Sequence, residues 1–153
     1  VYSCGAGANY GTALESALKM GETIHIPSCC YEIEEYIHGP NLQLTPQYNV
    51  IFFDGNDGAS RRVEQVYKAT RKVSNRAYLI SNNPQLSSDD HVLSLSDTVS
   101  SELCPLVYLP FVQLLSFIVS NDLHSIYQHP LLKEFKAIAA AKTENFVNYD
   151  GDD

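Results

Sequence analysis

Three charged residues, Glu15, Lys19 and Glu22, follow one another at intervals of four and three. In a helix, this spacing places their side chains on one face. A carboxylate held beside an ammonium group can act as a general acid or base on a bound substrate. The same spacing also describes an ordinary solvent-facing ion pair worth about 0.3–0.5 kcal/mol. The spacing alone therefore leaves both interpretations open.

A histidine at the end of a short helical segment is the second candidate for chemistry. His38 precedes Gly39 and Pro40, a pair that stops a helix. The dipole at a helix C-terminus favours the protonated imidazole, which suits a proton donor, although many such histidines have no chemical role. We interpret the remaining histidines as structural; they are His25, His91, His124 and His129.

The four cysteines argue against a metal site. They show no C-x-x-C spacing, and Cys29 and Cys30 are adjacent, whereas structural zinc sites use spaced pairs. Four cysteines are also too few to form a disulfide scaffold in a chain of 153 residues. The composition therefore predicts reduced thiols, a cytoplasmic protein and no bound metal.

A glycine-rich run, residues 5–11, lies where a first strand is expected to meet a first helix. Backbone N–H groups at such a turn suit an anion, which makes Gly7 and Asn9 candidate ligand contacts. The dinucleotide fingerprint G-x-G-x-x-G is incomplete because its sixth position holds Tyr10. It also lacks an acidic residue at the end of the second strand, so NAD binding is not expected. A tight packing turn would account for the glycines equally well.

The elements that must position these residues alternate between short apolar runs and longer stretches of helical period. This alternation predicts an α/β fold, a three-layer αβα sandwich around a doubly wound, flavodoxin-like parallel sheet. Strands are predicted at residues 1–4, 23–26, 50–53, 77–80 and 92–95. Helices are predicted at residues 10–20, 31–37, 60–73, 110–121 and 131–141. Gly21 is expected to end the first helix and Pro110 to begin the fourth.

Charge and hydropathy narrow the function classes. Ten basic and 18 acidic residues leave a formal net charge of −8, which argues against nucleic-acid binding. The longest apolar stretch, residues 103–119, is interrupted by Pro105 and Pro110, so we expect a buried helix and no membrane span. Residues 1–142 are expected to form one domain and residues 143–153 an acidic tail. Because the chain begins with Val1, we expect it to start inside a longer protein.

Two motifs resemble the sugar isomerase (SIS) domain family. Residues 5–22, GAGANYGTALESALKMGE, resemble the family pattern G-x-G-x-x-Y-x-x-A-L-E-G-A-L-K-x-x-E. Residues 35–40, EYIHGP, resemble the end of its G-E-x-x-H-G-P pattern, with Glu34 in place of the glycine. Glu22 and His38 are 16 residues apart, as in the family. Residues 113–117, QLLSF, resemble the family's Q-L-L-A-Y helix.

The resemblance implies the second SIS domain of a phosphosugar deglycase or isomerase. Such an enzyme releases an amine from a 6-phosphorylated fructose–amine conjugate, or shifts a carbonyl between sugar carbons one and two. Glu22 would be the base, and His38, entering from the neighbouring subunit of a homodimer with a shared site, would carry a second proton. The residues implied to bind the substrate are Gly7, Asn9, Glu15, Lys19 and Lys142. No metal or redox cofactor would be required.

One part of the family pattern is missing from this chain. The S-x-S-G-x-T phosphate loop of a first SIS domain has no counterpart, since the run after the third strand, residues 55–60, reads GNDGAS. A missing N-terminal SIS domain is therefore expected to hold the phosphate, and the chain alone is expected to be inactive. The alternatives are the isomerase domain of a glucosamine-6-phosphate synthase and a non-catalytic module that binds sugar phosphates or mediates oligomerisation.

Overall fold

The chain folds around a parallel sheet of five short strands. The computed structural model describes residues 1–95, 99–125, 135 and 137–139. The strands are β1 (Tyr2–Gly5), β2 (Cys29–Glu32), β3 (Val50–Asp54), β4 (Ala77–Ser81) and β5 (Val92–Ser94). The helices are α1 (Asn9–Ile24), α2 (Ile33–Ile37), α3 (Ser60–Arg71) and α4 (Cys104–Asp122). The strand order β2-β1-β3-β4-β5, with parallel pairing throughout, confirms the predicted doubly wound α/β fold.

Each face of the sheet carries its own core because side chains alternate along a strand. On one face Phe52 packs with Tyr36 of α2 and Tyr67 of α3. On the other face Phe53, the next residue along β3, packs with Tyr108 of α4. The sheet is therefore covered by an α2–α3 layer on one side and an α1–α4 layer on the other.

The turn from β1 into α1 is tight enough to require glycine. A β-carbon on Gly5 would lie 2.4 Å from the backbone oxygen of Asn9, so a larger residue would force the turn open. The residue preceding α1 is Ala8, and Asn9 is the first helical residue. This turn sends α1 back across the sheet from the carboxyl ends of the strands.

The predicted strand at residues 23–26 is wrong, because α1 does not stop at Gly21. The helix continues to Ile24, which lies one turn after Met20, and both side chains are buried on the sheet-facing side. That burial outweighs the cost of about 1 kcal/mol for a glycine inside a helix. The helix ends at His25, whose φ of 60° is left-handed. The second strand follows later, at Cys29–Glu32.

Two further helix boundaries differ from the prediction. The second helix begins at Ile33, two residues later than expected, because residues 31 and 32 belong to β2. The fourth begins at Cys104, six residues earlier than expected, with Pro105 in its first turn and Pro110 inside it. Pro105 is tolerated there because first-turn N–H groups have no helical partner. The predicted helix at residues 131–141 is described only at residues 135 and 137–139.

The helix α4 is buried along a single stripe. Every fourth side chain faces the sheet or α1, and the buried residues are Cys104, Tyr108, Val112, Ser116 and Ser120. The opposite side of α4 is apolar and exposed. By length and composition, the segment Ser101–Asp122 could also cross a membrane. Within the described residues of this single chain, α4 is buried along that stripe, and the expected burial of its other sides by another domain or subunit stays a prediction.

Candidate functional site

The three charged residues of α1 form one cluster. The Nζ atom of Lys19 lies 2.8 Å from Oε2 of Glu22 and 3.4 Å from Oε1 of Glu15. The hydrogen bond to Glu22 is the main reason that the pKa of Lys19 lies above its usual range, and the charge of Glu15 acts in the same direction. All three side chains are partly exposed on the outer side of α1. The cluster thus presents two carboxylates and one ammonium group.

Neighbouring contacts hold the helical turn that carries Glu22. The hydroxyl of Thr23 donates to the backbone oxygen of Lys19 at 2.7 Å. The hydroxyl of Ser125, beyond the end of α4, donates to the backbone oxygen of Thr23 at 2.7 Å. Met20 is buried beneath the same turn. A carboxylate on a fixed helical turn has the rigid support that a general base needs.

His38 ends α2, as the sequence predicts. Its backbone N–H donates to the oxygen of Glu35 at 3.1 Å, and its side chain is exposed. The helix is anchored by Tyr36, which is fully buried and shares a hydrogen bond of 3.0 Å with the hydroxyl of Thr70. Burial raises the pKa of Tyr36 to about 12, so its hydroxyl stays protonated and keeps this bond at neutral pH.

The structure does not bring Glu22 and His38 together within one chain. Glu22 lies on the outer side of the α1–α4 layer, whereas His38 follows α2 in the α2–α3 layer. The sheet separates the two layers. Of the predicted site residues, Glu15, Lys19 and Glu22 are adjacent, His38 lies on the opposite side of the sheet, and Lys142 lies outside the described residues.

The predicted ligand-binding turn at Gly7 and Asn9 has one feature that suits an anion and one that opposes it. Gly7 is exposed and has a φ of +54°, a conformation that glycine adopts without strain. Asn9 is 1% exposed, and its side-chain oxygen accepts a hydrogen bond of 3.1 Å from the Thr12 hydroxyl. A β-carbon on Gly7 would lie 3.4 Å from Oδ2 of Asp57. A carboxylate this close makes the turn a poorer site for an anion than its backbone alone suggests.

A buried polar network at the carboxyl ends of β3 and β4 was not predicted. The carboxylate of Asp54 accepts hydrogen bonds from the hydroxyls of Ser60 and Ser81, the latter at 2.7 Å. Its backbone oxygen accepts one of 2.7 Å from the hydroxyl of Tyr108. Polar residues directly after the apolar runs of β3 and β4 were the available signal, since the carboxyl ends of parallel strands share one edge.

A cavity of about 530 Å³ lies between the sheet and α4. Its walls are mainly apolar and include Met20, Ile51, Ile80, Phe111 and Leu115. None of the predicted site residues that the structure describes lines it. Among the described residues, no group of three or more His, Cys, Asp or Glu side chains could hold a metal ion.

Comparison with curated proteins finds similarity to one class of enzyme. The chain is 31% identical over 122 residues to the glutamine–fructose-6-phosphate aminotransferase (isomerizing) of Methanothermobacter thermautotrophicus. It is 28% identical over 118 residues to the enzyme of the same name from Idiomarina loihiensis. These matches cover 77% and 76% of the chain but 20% and 19% of the two enzymes. The chain thus spans about one fifth of the length of these relatives.

Solved structures show the same fold. A candidate phosphosugar isomerase of Clostridium difficile 630 matches with a TM-score of 0.76 and 22% identity, over 92% of this chain and 39% of that one. The C-terminal domain of glucosamine-fructose-6-phosphate aminotransferase from Francisella tularensis matches with a TM-score of 0.67 and 23% identity, over 78% and 35%. The chain belongs to the sugar isomerase (SIS) domain family. A comparison of the sequence with models of known protein families finds no match.

The sequence-based expectations of a SIS domain and of its fold are confirmed. The SIS domain covers little more than a third of the length of each of these solved chains. The roles of Glu22, His38 and the implied substrate-binding residues stay predictions.

Proposed function

We propose that this SIS domain belongs to an enzyme that releases an amine from a 6-phosphorylated fructose–amine conjugate. The reaction would combine a carbonyl shift between sugar carbons one and two with departure of the amine. The observation that carries the proposal is the Glu15–Lys19–Glu22 cluster, because two carboxylates and an ammonium group share one outer helical face. The similarity to phosphosugar isomerases and aminotransferases supports this substrate class.

In the proposed reaction, Glu22 removes a proton from sugar carbon one. The electron pair of that C–H bond forms a double bond between carbons one and two, and the neighbouring oxygen gains negative charge. The ammonium group of Lys19, 2.8 Å from the Glu22 carboxylate, would donate a hydrogen bond to that oxygen. Carbon two and its oxygen then take up protons and the nitrogen gives one up, with the help of His38, which leaves a C=N bond at carbon one. Water adds to carbon one and the C–N bond breaks, so that the free amine leaves and a 6-phosphorylated aldose remains.

His38 would act from a second chain. The sheet lies between Glu22 and His38 of the same domain, so the two residues that act on one substrate would come from different subunits. A homodimer with a shared site meets this requirement. The positions of α1 and α2 and the roles proposed for the two residues support this arrangement.

A missing domain would cover the outer side of the α1–α4 layer. Exposed apolar side chains there are Leu14, Leu18, Leu106, Val107, Leu114, Phe117 and Ile118. They expose on the order of 600 Å² of apolar surface, at the upper end of the largest patches of ordinary monomers. The Glu22 cluster is on the same outer side, so a docked domain would also enclose the reacting sugar and could supply the phosphate loop.

The test is Glu22→Gln in the full-length protein, assayed for amine release from a fructose–amine 6-phosphate. Turnover should fall by about 10²–10⁴, because Gln keeps the shape of the side chain and loses only the base. Phosphosugar binding should survive. Glu64→Gln is the matched control, since Glu64 also pairs with a lysine, Lys68, but lies on α3. Retention of more than about a tenth of the rate would rule out Glu22 as the base.

The same assay separates the alternatives. An isomerase domain of glucosamine-6-phosphate synthase, which the similarity to glutamine–fructose-6-phosphate aminotransferases favours, would act on fructose 6-phosphate with an ammonia donor. It would release no amine from the conjugate. A non-catalytic module would show no turnover in either form, and its phosphosugar binding would be the same before and after the Glu22→Gln substitution.

A further inference from the structure

One ion pair joins two helices of the α2–α3 layer. Nε of Arg62 lies 2.6 Å from Oε1 of Glu34, and its second nitrogen donates to Oε2 at 3.0 Å. This two-point geometry is the strongest form of an Arg–carboxylate contact. The other ion pairs in the described part of the chain each join residues of a single helix. The Glu34–Arg62 pair is therefore a tertiary contact.

The helix that receives this contact is too short to hold its own orientation. It has five residues, far below the roughly 12–15 at which a helix begins to be stable in isolation. Ile33 and Tyr36 bury its inner side. The Glu32 side chain accepts a hydrogen bond of 2.6 Å from the backbone N–H of Glu34 at its start. The outer side is held by Arg62.

Glu34 and His38 are four residues apart, which places both side chains on one side of a helical turn. Whatever fixes Glu34 therefore fixes the side of α2 from which the imidazole projects. The pKa of Glu34 lies below its usual range chiefly because of the Arg62 hydrogen bond, and the charge of His38 contributes in the same direction. This agrees with the proximity that the spacing requires.

We propose that Arg62 is a positioning residue for His38, acting through its ion pair with Glu34. The proposal rests on the proposed function in one respect, that His38 carries a proton during turnover. Position 34 holds glycine in the motif that this segment resembles, so the anchor is a feature of this sequence. Arg62 is proposed to act without contacting the substrate, because it sets the orientation of α2 relative to α3.

The first measurement needs no substrate. In Arg62→Gln, amide hydrogen exchange at residues 35–38 should rise about twofold to fivefold, the range that an exposed ion pair supports. Lys68→Gln is the control, because Lys68 pairs with Glu64 within α3 and should leave that exchange unchanged. Equal exchange in the wild type and in Arg62→Gln would overturn the proposal.

The second measurement separates positioning from simple stabilisation. In the full-length enzyme, Arg62→Gln should lower kcat on the order of tenfold and leave KM within about twofold, since a misplaced proton carrier slows chemistry without weakening binding. The exchanged pair Glu34→Arg with Arg62→Glu should restore most of the lost kcat. An unchanged kcat, or no recovery in the exchanged pair, would overturn the role of Arg62. If Glu22→Gln is fully active while Arg62→Gln still raises amide hydrogen exchange at residues 35–38, the proposed function fails and the anchoring of α2 by Arg62 stands.

Discussion

The two helical layers bury their inner sides in the same way and differ on their outer sides. The outer side of α3 carries Arg61, Gln65 and Lys68, all exposed to water. The outer side of α4 carries Leu106 and Phe117, which are 68% and 63% exposed. Charged side chains are suited to permanent contact with water, whereas a large apolar patch indicates a surface that another molecule covers.

This difference assigns separate tasks to the layers. The α1–α4 layer combines the apolar surface with the Glu22 cluster, so its candidate chemistry lies where a partner is expected. The α2–α3 layer exposes polar and charged side chains to water. Polar contacts hold its two helices together, namely the Glu34–Arg62 ion pair and the Tyr36–Thr70 hydrogen bond. His38 belongs to this second layer.

The largest effect is expected when the proposed shared site, with Glu22 from one layer and His38 from the other, is first inactivated and then restored. Full-length Glu22→Gln and His38→Ala should each be inactive. After subunit exchange, each heterodimer should contain one site with both native residues, and activity should reappear at up to about a quarter of the wild-type level if the subunits mix at random. The reference is a mixture of the same two variants kept under conditions in which the dimers do not exchange subunits. If the mixture stays inactive despite exchange proven by mass spectrometry, His38 acts within its own chain.

The second prediction contrasts the two sides of α4. Tyr108→Phe removes a buried hydroxyl that donates to the Asp54 backbone oxygen at 2.7 Å, and should lower the free energy of unfolding by about 1–3 kcal/mol. Phe117→Ser, on the exposed side, should change it by less than about 0.5 kcal/mol. Urea unfolding of the isolated chain gives both values. Equal losses would show that the outer side of α4 is packed within the chain itself.

The third prediction tests the apolar surface directly. Leu106→Lys combined with Phe117→Lys should reduce the binding of an apolar fluorescent dye to the isolated chain, because two of its most exposed apolar side chains are lost. The free energy of unfolding should change by less than about 0.5 kcal/mol. Gln65→Lys on α3 adds charge without touching the patch and is the control. Unchanged dye binding would place the exposed apolar surface elsewhere.

The smallest effect concerns acid sensitivity in the α2–α3 layer. Asp89 accepts hydrogen bonds of 2.9 Å from the backbone N–H of His91 and from the hydroxyl of Tyr67, and the former is the main reason that its pKa lies below its usual range. A lowered carboxyl pKa stabilises the folded state above about pH 4 and ceases to do so as the pH falls through the folded value.

Asp89→Asn should therefore cost less than about 1 kcal/mol at pH 7, since the group is exposed. The difference from the wild type should shrink as the pH falls below about 4 and through the lowered folded value. Unfolding in urea at pH 7 and in this acidic range measures it. Asp90→Asn controls for the removal of one negative charge. A difference that persists at low pH would assign the effect to the lost shape of the side chain.

Most of the fold was predictable because its signals are local. Four of the five strands are apolar runs bounded by turn residues, and they were placed within one or two residues. The second strand was misplaced because Gly21 looks like a helix stop. The burial of Ile24, which keeps α1 helical, depends on a core shared with α4, which lies far away in the sequence. Such a contact cannot be read from a window of neighbouring residues.

The candidate site was predictable only in part for a similar reason. Helical spacing placed Glu15, Lys19 and Glu22 together correctly, because that relation is set by one helix. The separation of Glu22 from His38 is set by which side of the sheet each helix covers, a property of the connections rather than of any motif. The link between Glu34 and Arg62 likewise joins two helices that the sequence pattern treats independently.

The paired attachment of α4 to α1 has a mechanical consequence. The two helices are joined in their C-terminal halves, where Ser116 lies 4.0 Å from the sulfur of Met20, and near their ends, where the Ser125 hydroxyl donates to the backbone oxygen of Thr23. These contacts couple a displacement of α4 to the last turns of α1. Thr23 adjoins Glu22, so the carboxylate travels with them. A displacement near 1 Å can cost a reaction about 10²-fold in rate, so a partner docked on the outer side would also set the distance between the proposed base and the sugar.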